Sequence, residues 1–141
     1  MRRSGVIHAE LARQLALLGH TDRFVIADRG LPLPRHLPVI DLALVPGVAS
    51  FCDVLDAVLG EVVVQAHILA VEAVTAGRLL APAAGPVEMW LAERGVLVGP
   101  GTPVPHEAFK RLLHDDKVVF AIRTGEQTPF ANVILEAGVP F

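Results

Sequence analysis

The sequence predicts an α/β fold, a single-domain three-layer α/β/α sandwich with a mostly parallel central sheet. Three observations carry that expectation. Stretches with helical spacing alternate with short apolar, β-branched runs along the chain. Runs such as Phe24-Val25-Ile26-Ala27 read as buried strands, which implies a sheet covered on both faces. The length of 141 residues is that of one domain with a proper core.

The elements follow in order. Ile7, Leu11, Leu15 and Leu18 have the spacing of one helical face, so a first helix is expected over His8–Leu18. Gly19 stands where such a helix would end in a left-handed residue. Phe24–Ala27 is the first strand, and Leu31-Pro32-Leu33-Pro34 must be extended because each proline pushes its predecessor out of the helical region. Val39–Leu44 is a second strand candidate. Ser50 with Asp53 three residues on is a plausible cap for a helix to Leu59. Glu61–Leu69 reads as a strand holding His67 alone, and from Glu72 to Pro86 the pattern weakens. A short helix is expected near Val87–Glu93, a strand at Val96–Val98, and a rigid, unpaired segment at Gly99–Pro105. A helix over Glu107–Leu113 and strands at Val118–Ile122 and Asn132–Leu135 complete the reading.

Composition excludes several function classes. Hydrophobic residues make up 52% and the mean hydropathy is +0.52, yet the longest stretch free of charge, Gly95 to His106, is broken by Gly and Pro. A spanning helix needs about 18 consecutive apolar residues, so no membrane partner is expected. The apolar excess points instead to subunit interfaces and a homo-oligomer. Met1-Arg2-Arg3-Ser4 is basic but no apolar leader follows, so the chain reads as cytoplasmic. Cys52 is the only cysteine and falls in an amphipathic helix start, where a structural role is expected. The net charge of -3 and pI near 6.0 give no basic stripe for nucleic acid.

The histidines at 8, 20, 36, 67, 106 and 114 share no ligand-like spacing, so no metal is expected, and the common phosphate-cradling and nucleophile-elbow motifs are missing. What remains is a set of polar residues at the ends of apolar segments: His20, Asp28, His106 and Asn132. Carboxylate, amide and imidazole groups read sugar hydroxyls by giving and taking hydrogen bonds, and the ring of Phe130 could lie on the apolar face of a sugar. The segment Leu18–Pro34 delivers His20 and Asp28 to the two ends of one strand region, and they are expected to converge. Taken singly, His20 could merely favour a helix C-terminus and Asp28 a turn. Asn132 could be a loop residue bonded to backbone, and Phe130 an ordinary core aromatic.

The wording GHTD, a strand, then D-x-GLP-x-P resembles the opening of the D-ribose pyranase family, whose sister branch is the L-fucose mutarotases. The similarity continues through Ile40–Leu44, Pro46–Val48, Ser50-Phe51, His106–Lys110, Ile122–Glu126, Pro129–Leu135 and Ala137–Val139, and is weakest between Glu72 and Pro105. It implies that His20 is the proton donor and that Asp28, His106 and the segment Phe130-Ala131-Asn132 bind the sugar. It further implies a cofactor-free isomerase acting on ribose, assembled as a homodecamer of two stacked pentamers. Asp28 could hold the His20 tautomer or bind a hydroxyl. The family usually has Tyr where this chain has Phe130, which bears on the identity of the sugar. Mutarotation of fucose or another, deoxy, sugar and a non-catalytic sugar-binding oligomer are the rival readings.

Overall fold

The computed structural model describes residues 2–73 and 87–141. Helices α1 (Ala9–Leu17), α2 (Phe51–Leu59), α3 (Val87–Arg94) and α4 (His106–Leu112) surround strands β1 (Arg23–Ala27), β2 (Val39–Asp41), β3 (Val64–Ala70), β4 (Gly101–Val104), β5 (Val118–Arg123) and β6 (Val133–Ala137). The strand order is β2-β5-β1-β6-β3-β4. β2, β5 and β1 run parallel, as do β3 and β4, while β6 lies antiparallel between β1 and β3.

The alternation of strand side chains divides the core. Phe24 and Ile26 of β1 face a cluster with Leu11 and Leu15 of α1, Phe51, Val54, Leu55 and Val58 of α2, and Leu91 of α3. Val25 and Ala27 face Phe109 of α4 together with Leu31 and Leu37. The sandwich thus has its three layers. Each fully buried large side chain of α2 contributes roughly 1.5–3 kcal/mol. Its start is fixed by a capping box, with Ser50 Oγ accepting from Asp53 N at 3.1 Å and Asp53 Oδ2 accepting from Ser50 N. Burial pushes the Cys52 thiol up, which disfavours the reactive thiolate on this helix.

Several expectations are corrected. β2 stops at Asp41, short of Leu44. Val96–Val98 forms a 3₁₀ turn, Gly95–Val98, because Val96 and Leu97 lie in solvent and the free edge of β3 is taken by β4. The supposedly unpaired Gly99–Pro105 segment supplies β4, an edge strand that tolerates Pro103. Gly101 permits this approach, since a Cβ there would meet the His67 ring, whose Nδ1 donates to the Val98 carbonyl at 3.0 Å. Within α1 the predicted face holds for Leu11 and Leu15, but Ile7 is exposed. Gly19 is not left-handed. Asp22 Oδ2 accepts from Gly19 N at 2.7 Å, Asp22 N donates to Gly19 O, and Thr21 carries the positive φ of 69° in that turn. Most of the patternless Glu72–Pro86 stretch lies outside the described residues. No described helix is long and apolar enough to cross a membrane.

Candidate sugar-binding site

Parallel strands bring their C-terminal ends to one edge of the sheet, where open α/β folds build their sites. At that edge β1 delivers Asp28, β4 leads into His106, and β5 runs into Thr124–Glu126. β6 runs the other way, so its beginning, Phe130-Ala131-Asn132, arrives beside the end of β1. One antiparallel strand therefore couples the two halves of the predicted set.

Asp28 and Asn132 are locked together. The Asp28 backbone N–H donates to Asn132 Oδ1 at 2.9 Å, and Asn132 Nδ2 donates to Asp28 Oδ2 at 2.9 Å. Asp28 Oδ1 accepts from the backbone N–H groups of Gly30 and Leu31, both at 2.8 Å. Asn132 is buried at 1% exposure, so one amide N–H and the open side of the Asp28 carboxylate are what this pair can offer a ligand. Phe130 sits edge-on to the His106 ring, with centroids 5.0 Å apart at 80°. Its backbone is left-handed, φ 63°, an uncommon state for a bulky residue. The turn is held by Ala131 N donating to Thr128 O and Asn132 N donating to Phe130 O. His106 Nδ1 is buried and has no hydrogen-bond partner among the described residues.

These groups, with Arg29, Gly30, Leu31 and Pro32, line a cavity of about 280 Å³. Asp28, His106, Phe130 and Asn132 all face it. Ala131 does not, because its methyl is fully buried in the core behind the loop. His20 is also absent. It occupies the tip of the turn before β1, at the opposite end of a strand about 16 Å long, where its Nε2 donates to Gln65 Oε1 at 3.0 Å. The convergence of His20 with Asp28 expected from the sequence does not occur within one chain, and Asp28 cannot hold the His20 tautomer of its own chain.

Glu126 carries no signal of its own in the sequence, where it is one polar residue among several between Thr124 and Pro129. It lines the cavity and its Oε1 accepts from Gln127 N, Thr128 N and Thr128 Oγ1 at 2.9, 3.0 and 2.8 Å, while Oε2 accepts from Phe51 N at the start of α2. Burial alone would raise this carboxyl, but the bonds from Thr128, Gln127 and Phe51 outweigh it and hold it below the usual range. Gly125 completes the brace, since a Cβ there would come within 2.5 Å of the Val48 carbonyl oxygen. Among the described residues no group of three or more His, Cys, Asp or Glu has the geometry to hold a metal ion.

A carboxylate, a buried amide, an imidazole and an aromatic ring converge on one small cavity of an α/β sandwich, groups of the kind that can give and take hydrogen bonds with hydroxyls. Residues 1–140 match the RbsD / FucU transport protein family, and the chain belongs to that family. It is 43% identical over 141 residues to a D-ribose pyranase of Cutibacterium acnes and 46% identical to one of Paracidovorax citrulli, with all of each chain covered in both cases. The Bacillus subtilis RbsD structure complexed with D-ribose superposes with a TM-score of 0.85 at 38% identity, again covering all of both chains.

Proposed function

We propose that this protein is an isomerase that exchanges D-ribose between its pyranose and furanose ring forms, and between anomers, through the open-chain aldehyde. The convergence of Asp28, His106, Phe130 and Asn132 on one monosaccharide-sized cavity carries the reading, and the full-length similarity to ribose pyranases supports it. Ring opening needs the anomeric hydroxyl to lose a proton as the C1–O1 double bond forms. The bond from C1 to the ring oxygen breaks, and that oxygen gains a proton. An imidazole, with an ordinary pKa around 6.5, can take the first proton and supply the second near neutral pH, and closure through a different hydroxyl gives the other ring size. Positioned acid–base catalysis of about 10² to 10⁴ is enough for a reaction that already proceeds unaided. Two-dimensional exchange NMR on ribose and fucose, with and without catalytic amounts of protein, tests this. Faster ribose ring exchange is expected, and equal rates for every sugar would refute it.

His20 is the proton-transfer residue in this reading, and its position dictates a second copy. A His20 that works in the cavity must come from an adjoining protomer, because its own cavity lies beyond the far end of β1. The exposed Ile7, Leu44, Val96 and Phe141, 79–99% accessible, are the kind of surface a second subunit would cover. The assembly proposed is the homodecamer of two pentamers, acting in the cytoplasm. Light scattering at micromolar concentration should give a multiple of the 15.0 kDa chain, and a monomer would refute it.

Phe130 favours one variation on the substrate. If ribose needs a hydroxyl at this position, Phe130→Tyr should tighten its binding about two- to twelvefold, the value of one net hydrogen bond of roughly 0.5–1.5 kcal/mol. A pocket adapted to a deoxy sugar should instead bind that sugar more weakly in the Tyr variant, because the added hydroxyl has no partner. Titration with ribose and deoxy sugars separates the two, and unchanged affinity for all of them would mean that the ring does not touch the ligand.

A further inference from the structure

The antiparallel placement of β6 has a second consequence at the His20 end of the sheet. Arg23 of β1 pairs with Glu136 of β6, and Ala66 of β3 pairs with the same Glu136 from the other side, so Gln65 enters between them. A chain of hydrogen bonds runs through the three strands. Arg23 donates to Glu136 Oε2 through Nε at 2.8 Å and through Nη2 at 2.7 Å. Gln65 Nε2 donates to Glu136 Oε1 at 2.8 Å, and Gln65 Oε1 accepts from His20 Nε2 at 3.0 Å. Other charged groups stand nearby: Asp22, whose carboxylate accepts from Gly19 N, Asp115, which accepts from Lys117 N and lies 3.9 Å from Arg23, and Lys117, whose positive charge acts on Glu136.

Each link dictates the next. The bonds from Gln65 and Arg23 hold the Glu136 carboxyl below its usual range, so it is an ionised group that only accepts. The amide nitrogen of Gln65 must therefore face Glu136, which turns its oxygen toward His20. An amide oxygen cannot donate, so Nε2 of His20 must carry a hydrogen whether the ring is neutral or charged.

We propose that Gln65 is a positioning residue that fixes the tautomer and ring orientation of His20, making Nδ1 the nitrogen that gives and takes the proton. This rests on His20 as the proton-transfer residue of the proposed reaction. Because Nε2 keeps the same bond in both protonation states, the ring can cycle its Nδ1 proton without being released from β3. The neutral amide orients the ring without setting a full charge beside it, as a carboxylate at this position would.

Two substitutions at one position separate orientation from mere packing. Gln65→Lys offers only donors, pairs with Glu136, and forces His20 Nε2 to become the acceptor. Gln65→Glu keeps an acceptor facing the ring, provided that its other oxygen carries the proton needed to face Glu136 Oε1. Long-range ¹H–¹⁵N spectra of the intact oligomer should show neutral His20 protonated on Nε2 in the wild type and in Gln65→Glu, and on Nδ1 in Gln65→Lys. The exchange kcat for ribose should fall about tenfold or more in Gln65→Lys with KM nearly unchanged, and stay within about threefold of wild type in Gln65→Glu at the pH optimum of each. A wild-type ring protonated on Nδ1, or a Gln65→Lys oligomer that keeps its kcat after the tautomer has switched, would overturn the proposal. Full turnover by His20→Ala would overturn the assignment of the proton-transfer residue instead, and the spectra of neutral His20 are read independently of turnover.

Discussion

Replacing His20 by alanine should lower the ribose exchange kcat by about 10² or more while leaving sugar binding measurable, since loss of acid–base catalysis falls on the chemical step. The structure sharpens that expectation. His20 sits exposed at the tip of the Gly19–Asp22 turn, and its side chain bonds to Gln65, so its removal leaves the cavity of its own chain intact. Thermal stability should change little, within the roughly 0.5 kcal/mol usual for a surface substitution. The comparison to make is between kcat and KM by exchange NMR. A variant that loses ribose affinity in step with rate would place His20 among the binding groups, and one that turns over normally would hand the proton to His106.

Exchanging the chemistry of the Asp28–Asn132 pair should have the next largest effect. Asp28→Asn looks conservative but cannot be accommodated. The oxygen at Oδ1 is needed by two backbone donors, Gly30 N and Leu31 N, so the new amide nitrogen must face Asn132 Nδ2, donor against donor. Flipping Asn132 only moves the conflict to the backbone N–H of residue 28, which would then meet Asn132 Nδ2 in place of the Oδ1 that accepts from it in the wild type. A buried donor left unsatisfied costs about 1–3 kcal/mol. The site should loosen, with ribose KM raised about tenfold or more. Asn132→Asp should fail in the mirror sense, carboxylate against carboxylate. The double variant Asp28→Asn with Asn132→Asp restores every bond with the roles reversed and keeps the net charge. Its stability should recover toward wild type by more than the sum of the single changes allows, which is the signature of direct coupling. Additive losses in calorimetry would mean that the two side chains act separately.

How much of this was legible in the sequence depends on range. The capping box of α2, the buried run of β1 and the layering of helices on both faces follow from patterns along the chain, and the structure has all three. β4 was missed because Gly101-Thr102-Pro103-Val104 has no strand signature of its own; it pairs only because His67 and Gly101 make room for each other in β3 and β4. Val96-Leu97-Val98 has that signature but no partner edge. At the site, Asp28, His106, Phe130 and Asn132 could be picked out because they end apolar segments, whereas their meeting depends on the reversed direction of β6. Ala131 was carried along with its neighbours although its methyl belongs to the core. Gln65 and Glu126 gave no signal because their importance lies in what they orient. His20 was legible as a residue, and the strand between it and Asp28 already sets the two at opposite ends, which is why one chain cannot bring them together.

That separation supplies the most direct test of the account, which holds that a ribose ring-exchange centre is completed by a second copy of the chain. His20→Ala and Asp28→Ala should each be nearly inactive alone, one lacking the proton carrier and the other the cavity. Denatured together in equal amounts and refolded into mixed oligomers, they should regain ribose exchange by NMR. If each site joins the His20 of one protomer to the cavity of its neighbour, about one site in four draws both halves from unaltered sequence. Recovery to about a quarter of the wild-type rate is the result predicted, and a mixed oligomer no more active than its two parents would contradict it.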